Sequence, residues 1–218
     1  MLVSNAGYNR IYARINIDNL RYNITKMKSL RKKDMKIMTI IKADAYGHGA
    51  VEIARRIEDL SDYHGVATID EAVELRKAGI QTPILIIGYT DREDYSKLIA
   101  YDITQAVYDV NECKRLSDLA ISAGKRVKVH IKVDTGMSRI GFPVTGEGIE
   151  EAARLKDMQG LDIEGIFTHY AKADEVNKNY SYEQKKKFLY FIKSLEDRGI
   201  FFRLKHIDNS AGTMEMND

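Results

Sequence analysis

Apolar runs of strand length alternate along this chain with stretches in which apolar residues recur at helical spacing. The runs lie at 36–42, 63–68, 83–88, 102–108, 126–134, 161–169 and 202–208, and the helical patterns near 50–60, 70–78, 91–100, 111–123, 147–156 and 181–197. Gly79, Gly124 and Gly199 each follow a helical pattern as stop signals. Ahead of the series, residues 11–17 alternate apolar and polar side chains as a half-buried strand does, and Leu20, Ile24 and Met27 then follow at helical spacing.

Strands alternating with helices predict a parallel sheet joined by right-handed crossovers. Seven strands fit an α/β fold of TIM-like (β/α)8 barrel type that lacks its eighth strand, since residues 211–218 are too few for another helix and strand. A doubly wound open sheet accommodates seven strands without a missing piece and is the structural competitor. Against it, the residues able to do chemistry fall at the ends of strands spread through the whole series. Two prolines and no low-complexity stretch argue for one domain. The expected division is a tail over 1–10 and a barrel domain over 11–218, cut off before its last strand.

The most unusual boundary is at the end of the first barrel strand. An Ile- and Met-rich run, 37–41, stops at Lys42 and passes into Ala-Asp-Ala-Tyr-Gly-His-Gly. An ammonium is costly in an apolar interior, so Lys42 either reaches the rim of the strand's carboxyl end or loses its charge by condensing with a carbonyl compound. Gly47 and Gly49 allow backbone N–H groups to approach an anion, a helix opening at Ala50 would point its positive end there, and Tyr46 adds a hydroxyl. An amine for an aldehyde and donors for a phosphate are what pyridoxal 5'-phosphate requires. A βα unit with a snorkelling lysine remains the plain alternative.

Charge and cysteine content narrow the partners. Thirty-four Lys and Arg against 32 Asp and Glu give a net charge of +2, no excess with which to bind nucleic acid or an anionic membrane. The clusters Arg31-Lys32-Lys33 and Lys185-Lys186-Lys187 read as solvated helix faces. Cys113, the only cysteine, shares an apolar helix stripe with Leu116 and Ala120 and reads as a core thiol in a reducing compartment. No run approaches the length of a membrane span and no signal-peptide core is present, so a soluble, cytoplasmic protein is expected.

Three further segments place polar groups at predicted strand ends. The fifth run leads through Lys132 and Asp134 to Thr-Gly-Met-Ser-Arg139, the sixth closes on Thr-His169, and the seventh on Asp-Asn209-Ser210. A parallel barrel assembles its chemistry on that one face, so these groups converge on Lys42. On spacing alone, Lys132 and Asp134 could equally sit at the rim and neutralise each other, and His169 could be a satisfied structural residue. His48, His64, His130 and His206 read as structural, and no histidine–carboxylate spacing suggests a metal site.

Lys-Ala-Asp-Ala-Tyr-Gly-His-Gly at 42–49 closely resembles the cofactor-lysine motif of bacterial alanine racemases. Asp-Thr-Gly-Met-x-Arg-x-Gly at 134–141, Thr-His-x-Ala-x-Ala-Asp at 168–174 and Asn-Ser-Ala at 209–211 resemble further motifs of that family, in family order. Weaker likeness at 65–67, 71–72, 75–80 and 83–88 extends the resemblance over nearly all of the chain from about residue 11. It implies pyridoxal 5'-phosphate on Lys42, and Arg139 at the cofactor's phenolic oxygen and the substrate carboxylate. It further implies His169 against the ring, Asn209 beside it, and Ser210 with Tyr46 among the cofactor contacts. Lys132 matches a position often carbamylated, which would make it an anion able to hold Arg139.

The activity so implied is interconversion of L- and D-alanine, supplying D-alanine for peptidoglycan, by removal of the α-proton and its return on the opposite face. Lys42 is one base. The second, a tyrosine, comes in the family from the partner subunit's carboxyl-terminal domain, which makes the parent enzyme a homodimer. That domain and the eighth strand are absent here, so the chain reads as part of a longer racemase or as a self-sufficient shortened barrel. Alternatives are a serine or broad-specificity racemase, a non-catalytic pyridoxal-phosphate homeostasis protein, and a Schiff-base aldolase using Lys42 or Lys132 without cofactor.

Overall fold

In a computed structural model of the chain, residues 13–32 and 34–216 are described. The tail expected over 1–10, the start of the strand expected at 11–17, and Lys33 lie outside them. The described part of that strand is not one. Asn16 accepts from the Asn19 N–H (3.0 Å) and caps α1 (Ile17–Ser29), so the segment is drawn into a helix start instead of a ladder.

Seven strands form the sheet, in the order β1 (Met38–Ile40), β2 (Tyr63–Val66), β3 (Ile84–Ile86), β4 (Thr104–Val107), β5 (Val127–Asp134), β7 (Leu161–Phe167) and β8 (Leu204–His206). Every pairing is parallel. A two-residue strand, β6 (Phe142–Pro143), adds to the far end of β5. Each strand is shorter than its apolar run because the flanking residues turn toward the helices before they can join the ladder. β1 and β8 do not pair, and the curled sheet stays open between them, as a barrel short of one strand must.

The helices between strands are α3 (Ala50–Ile57), α4 (Ile69–Lys77), α5 (Tyr95–Ala100), α6 (Val110–Ser122), α7 (Gly146–Ala153) and α8 (Asn179–Glu196). The three glycine stops act as expected. Gly79, Gly124 and Gly199 have positive φ, and the residue after each donates back into the last turn, Ile80 to Leu75, Lys125 to Ala120 and Ile200 to Leu195. Residues 211–218, too few for a further helix and strand, instead carry most of a short helix, α9 (Ser210–Glu215), capped by Asn209.

Two cores follow from the two-residue period of the strands. Val127, Val129, Ile131 and Val133 of β5 face outward into the main core beneath the helices, while Tyr63, Leu85, Ala106 and Phe167 form a separate cluster inside the curl. His130 and Lys132 are also buried. Tyr63 and His130 (3.3 Å) donate to Glu164, which leaves His130 Nδ1 to accept from His206 Nε2 at 2.9 Å. These partners, with Arg203 at 3.6 Å, hold the Glu164 carboxyl down at about 2, the His130 hydrogen bond contributing most. His130 and His206 are thus tied to each other and to Glu164, and both also border the cleft described below. Cys113, 1% exposed on α6, is the core thiol the sequence suggested, and burial pushes it up to about 12. Arg31 departs from its expected solvated face: it donates to the Met216 and Gly212 carbonyls and pairs with Asp208 at 3.5 Å.

Candidate active site

Lys42 stands where the chain changes hand. Ile41 still donates to the Gly65 carbonyl of β2 (2.9 Å), but Ala43, Asp44, Ala45 and Tyr46 all have φ between 50° and 57° and ψ between 38° and 51°. Lys42–Gly47 (α2) is thus a left-handed turn built on four residues that carry a Cβ. Each such residue costs roughly 1–2 kcal/mol against its right-handed form. The surroundings must hold the turn, and they do at both ends. Glu71, third residue of α4, accepts from the Ala43 N–H with one oxygen (2.7 Å) and from Ala67 N–H with the other (2.7 Å). Asp44 accepts from Ala50 N–H through its carboxylate (2.6 Å) and from Gly49 N–H through its carbonyl (2.9 Å).

That second contact corrects one expectation. The first N–H of α3 was expected to await an anion; the Asp44 carboxylate already occupies it. The turn's yield is the placement of two side chains, with Lys42 Nζ 6.0 Å from the centre of the Tyr46 ring.

Lys132, 2% exposed near the end of β5, donates to the Val133 carbonyl at 3.0 Å and lies 5.2 Å from the Phe167 ring. It does not neutralise Asp134, whose carboxylate instead accepts from Gly136 and Ser138 N–H (2.9 and 3.0 Å) and shapes the loop to Arg139. Burial, with Arg139 adding repulsion, lowers the Lys132 amine to about 8. Gly141 closes the loop so tightly that a Cβ there would come within 2.4 Å of the Asp134 nitrogen. Arg139 is exposed and makes no ion pair among the described residues.

His169 follows β7. Thr168 beside it donates to the Val133 carbonyl (2.8 Å), and Gln184 of α8 donates to the His169 carbonyl (3.0 Å) and Thr135 (3.2 Å) while accepting from Ala171 N–H. Burial lowers the His169 pKa, and Lys132, Arg139 and Lys42 push it further the same way. After β8, Asn209 accepts from Gly212 N–H (2.9 Å) and donates to the Tyr170 carbonyl (3.3 Å), setting Ser210 at the start of α9.

Lys42, Tyr46, Lys132, Arg139, His169, Asn209 and Ser210 all line one cleft of about 1490 Å³, which opens at the carboxyl ends of the strands and along the gap between β1 and β8. Glu71, Asp44 and Gln184 were missed as site residues. Thr68-x-x-Glu71 is a capping-box pattern, and Gln184 is a polar residue on the stripe of Phe188, Phe191 and Leu195; both signals were legible.

The donor set fits a phosphorylated carbonyl cofactor. Lys42, Lys132, Arg139 and His169 all border the cleft, and the charges of the two lysines and Arg139 act together on the His169 imidazole. The cations there would meet an anionic group, the Lys42 amine a carbonyl, and Ser210 borders the cleft with a hydroxyl able to donate.

A curled parallel sheet with its chemistry gathered at the carboxyl ends of the strands, centred on a lysine amine in a cationic cleft, defines a β/α-barrel domain of the lysine-anchored cofactor class. Residues 15–218 match the family model described as alanine racemase, N-terminal domain, and the chain belongs to that family, whose enzymes depend on pyridoxal 5'-phosphate. It is 43% identical over 202 residues to alanine racemase 1 of Caldanaerobacter subterraneus, covering 92% of this chain and 52% of that protein. It is 42% identical over 207 residues to alanine racemase 1 of Clostridium acetobutylicum, with 94% and 53% covered. Among solved structures, alanine racemase of Clostridium difficile superposes with a TM-score of 0.90 at 43% identity, over 93% of this chain and 53% of that one. The chain spans about half the length of the curated relatives it matches.

Proposed function

We propose that this chain is the cofactor-holding half of an enzyme that interconverts L- and D-alanine in the cytoplasm, in support of peptidoglycan synthesis. The observation that carries this is the meeting of Lys42, Arg139, His169 and Ser210, from four separate strand ends, on one cleft. Lys42 would hold the cofactor's carbonyl carbon, Arg139 its phenolic oxygen, Ser210 its phosphate and His169 its ring, with Tyr46 and Asn209 flanking. When bound, pyridoxal 5'-phosphate delocalises the negative charge left on a substrate's α-carbon once its proton is gone.

The chain's own residues do the rest. Lys42, when its Nζ is not holding the carbonyl, would take or return the α-proton from one face. Arg139 meets the substrate carboxylate and orients the α-carbon. His169, held neutral by burial and three cations, packs without adding charge. Lys132, with its amine at about 8, is neutral often enough to attack carbon dioxide through Nζ, lose a proton and become the carbamate that pairs with Arg139.

A second base must serve the opposite face, and in this reading it is a tyrosine of a partner subunit in a homodimer. The test has two parts. Borohydride reduction after incubation with pyridoxal 5'-phosphate places a mass increment on Lys42. Alanine's α-hydrogen, followed in heavy water, exchanges slowly with this chain and fast with a full-length relative. No increment on Lys42 would end the cofactor reading; equal turnover by both proteins would end the two-subunit reading.

A further inference from the structure

We infer that Glu71 is a positioning residue for Lys42, acting through the peptide that joins Lys42 to Ala43. This rests on the cofactor reading above, and deepens it.

Glu71 does not line the cleft, so it touches neither cofactor nor substrate. Its two carboxylate oxygens are divided between two strand ends. One takes the Ala43 N–H, the first amide after Lys42, and the other takes Ala67 N–H and, more loosely, Thr68 N–H at 3.3 Å. The contact to Thr68 belongs to an ordinary capping box, in which Thr68 in turn accepts from Glu71 N–H. The contact to Ala43 does not. It reaches 28 positions back along the chain and fastens the end of β1 to the end of β2 just past their last paired residues.

The direction of the Ala43 N–H sets the plane of the 42–43 peptide, hence ψ of Lys42 and φ of Ala43 together. Ala43 is the first of four residues held left-handed against their intrinsic preference. Released from Glu71, that peptide is free to rotate toward the right-handed region, and the Lys42 side chain is re-aimed with it. The Asp44 contacts fasten the exit of the turn, five or six residues further on, and at its entry the Ile41 carbonyl accepts from Ala45 N–H (2.9 Å), so Glu71 is the side chain that fixes the 42–43 peptide. Gln keeps one acceptor oxygen but turns an N–H₂ toward the other amide, so Glu71→Gln cannot bridge both.

The experiment compares wild type, Glu71→Gln and Thr68→Ala, each as the full 218-residue chain. The exchange rates of the Ala43 and Ala67 amide hydrogens read the clamp without any cofactor. Glu71→Gln is expected to speed both together, and Thr68→Ala, which removes only the cap, to leave Ala43 as protected as in wild type. The rate of borohydride-trapped attachment of pyridoxal 5'-phosphate at Lys42 then reads the consequence. It should fall about tenfold or more in Glu71→Gln and stay within about twofold in Thr68→Ala, since small misplacements of a reacting group carry penalties of that order. Unchanged Ala43 exchange in Glu71→Gln, or equal losses of attachment in both variants, overturns the inference. If wild type itself attaches nothing at Lys42, the cofactor reading fails instead, and the two amides alone decide whether the clamp exists.

Discussion

Replacing Ala43 by glycine should make this protein more stable, the reverse of what the same change does in an ordinary helix. Ala43 is exposed, with φ 50° and ψ 51°, so its methyl group contributes little packing and a full steric cost. Removing that cost relieves about 1–2 kcal/mol. Glycine's greater freedom in the unfolded chain takes back about 0.4–1 kcal/mol, for a net stabilisation of about 0.5–1 kcal/mol. Ala100, exposed at the end of the right-handed α5, supplies the control: Ala100→Gly pays the unfolded-state cost with nothing to relieve. The unfolded-state contribution is common to both variants. The difference between them therefore isolates the hand of the turn, at about 1–2 kcal/mol. Urea unfolding with a shared m-value measures it directly, and the melting temperature of Ala43→Gly should rise by about 2 °C for a chain of this size. Equal destabilisation by the two changes would mean that residue 43 carries no left-handed strain, and the account of how Lys42 is aimed would fall with it.

Lys132 should leave a mark on stability at alkaline pH. Its amine sits at about 8 in the folded chain against 10.5 when free, so the unfolded state holds the extra proton between those values and stability rises with pH across that window. Lys132→Met should abolish this rise and stabilise the unmodified protein at neutral pH by up to about 3 kcal/mol, read from denaturation at several pH values. Glu164 works at the other end. With its carboxyl at about 2 against 4.5 when free, it stabilises fully above pH 4.5, and that contribution is lost as pH falls toward 2. Glu164→Gln should cost about 2 kcal/mol at neutral pH and flatten the acid limb of the stability profile. Arg139→Gln removes a cation from the field on His169, so the imidazole pKa should move up toward 6.5 in an NMR titration, with Lys42→Met shifting it the same way.

The order of elements could be read from local pattern. A buried parallel strand needs a short apolar run, a crossover helix needs one apolar stripe, and a helix stop needs a residue tolerant of positive φ. Each requirement is satisfied within a few neighbouring residues, and so the seven barrel strands, the helices between them and the three glycine stops were visible in advance. The described part of the segment at 11–17, from residue 13, differs from the strand reading because alternation alone does not make a strand; a ladder partner is needed, and a helix cap at Asn16 competed for the same residues. The lining of the cleft was legible too, since strand ends in a parallel barrel share one face whatever lies between them.

What lay beyond the sequence was how those side chains are held. Four Cβ-bearing residues in succession predict a right-handed turn; the left-handed one is held at its ends by the side chains of Glu71, 28 positions on from Ala43, and Asp44, with Ile41 accepting from Ala45 N–H. Gln184 ties the ends of β5 and β7 from a helix that follows both. The depressed amine of Lys132 needs the burial that the curled sheet provides, and the lowered pKa of His169 comes from burial first and then from cations of two other strand ends, Lys42 after β1 and Lys132 and Arg139 on and after β5. Residue types and local periods are properties of the chain. The hand of a strained turn and the charge of a buried group are set by partners far along it, which meet only once the sheet has curled.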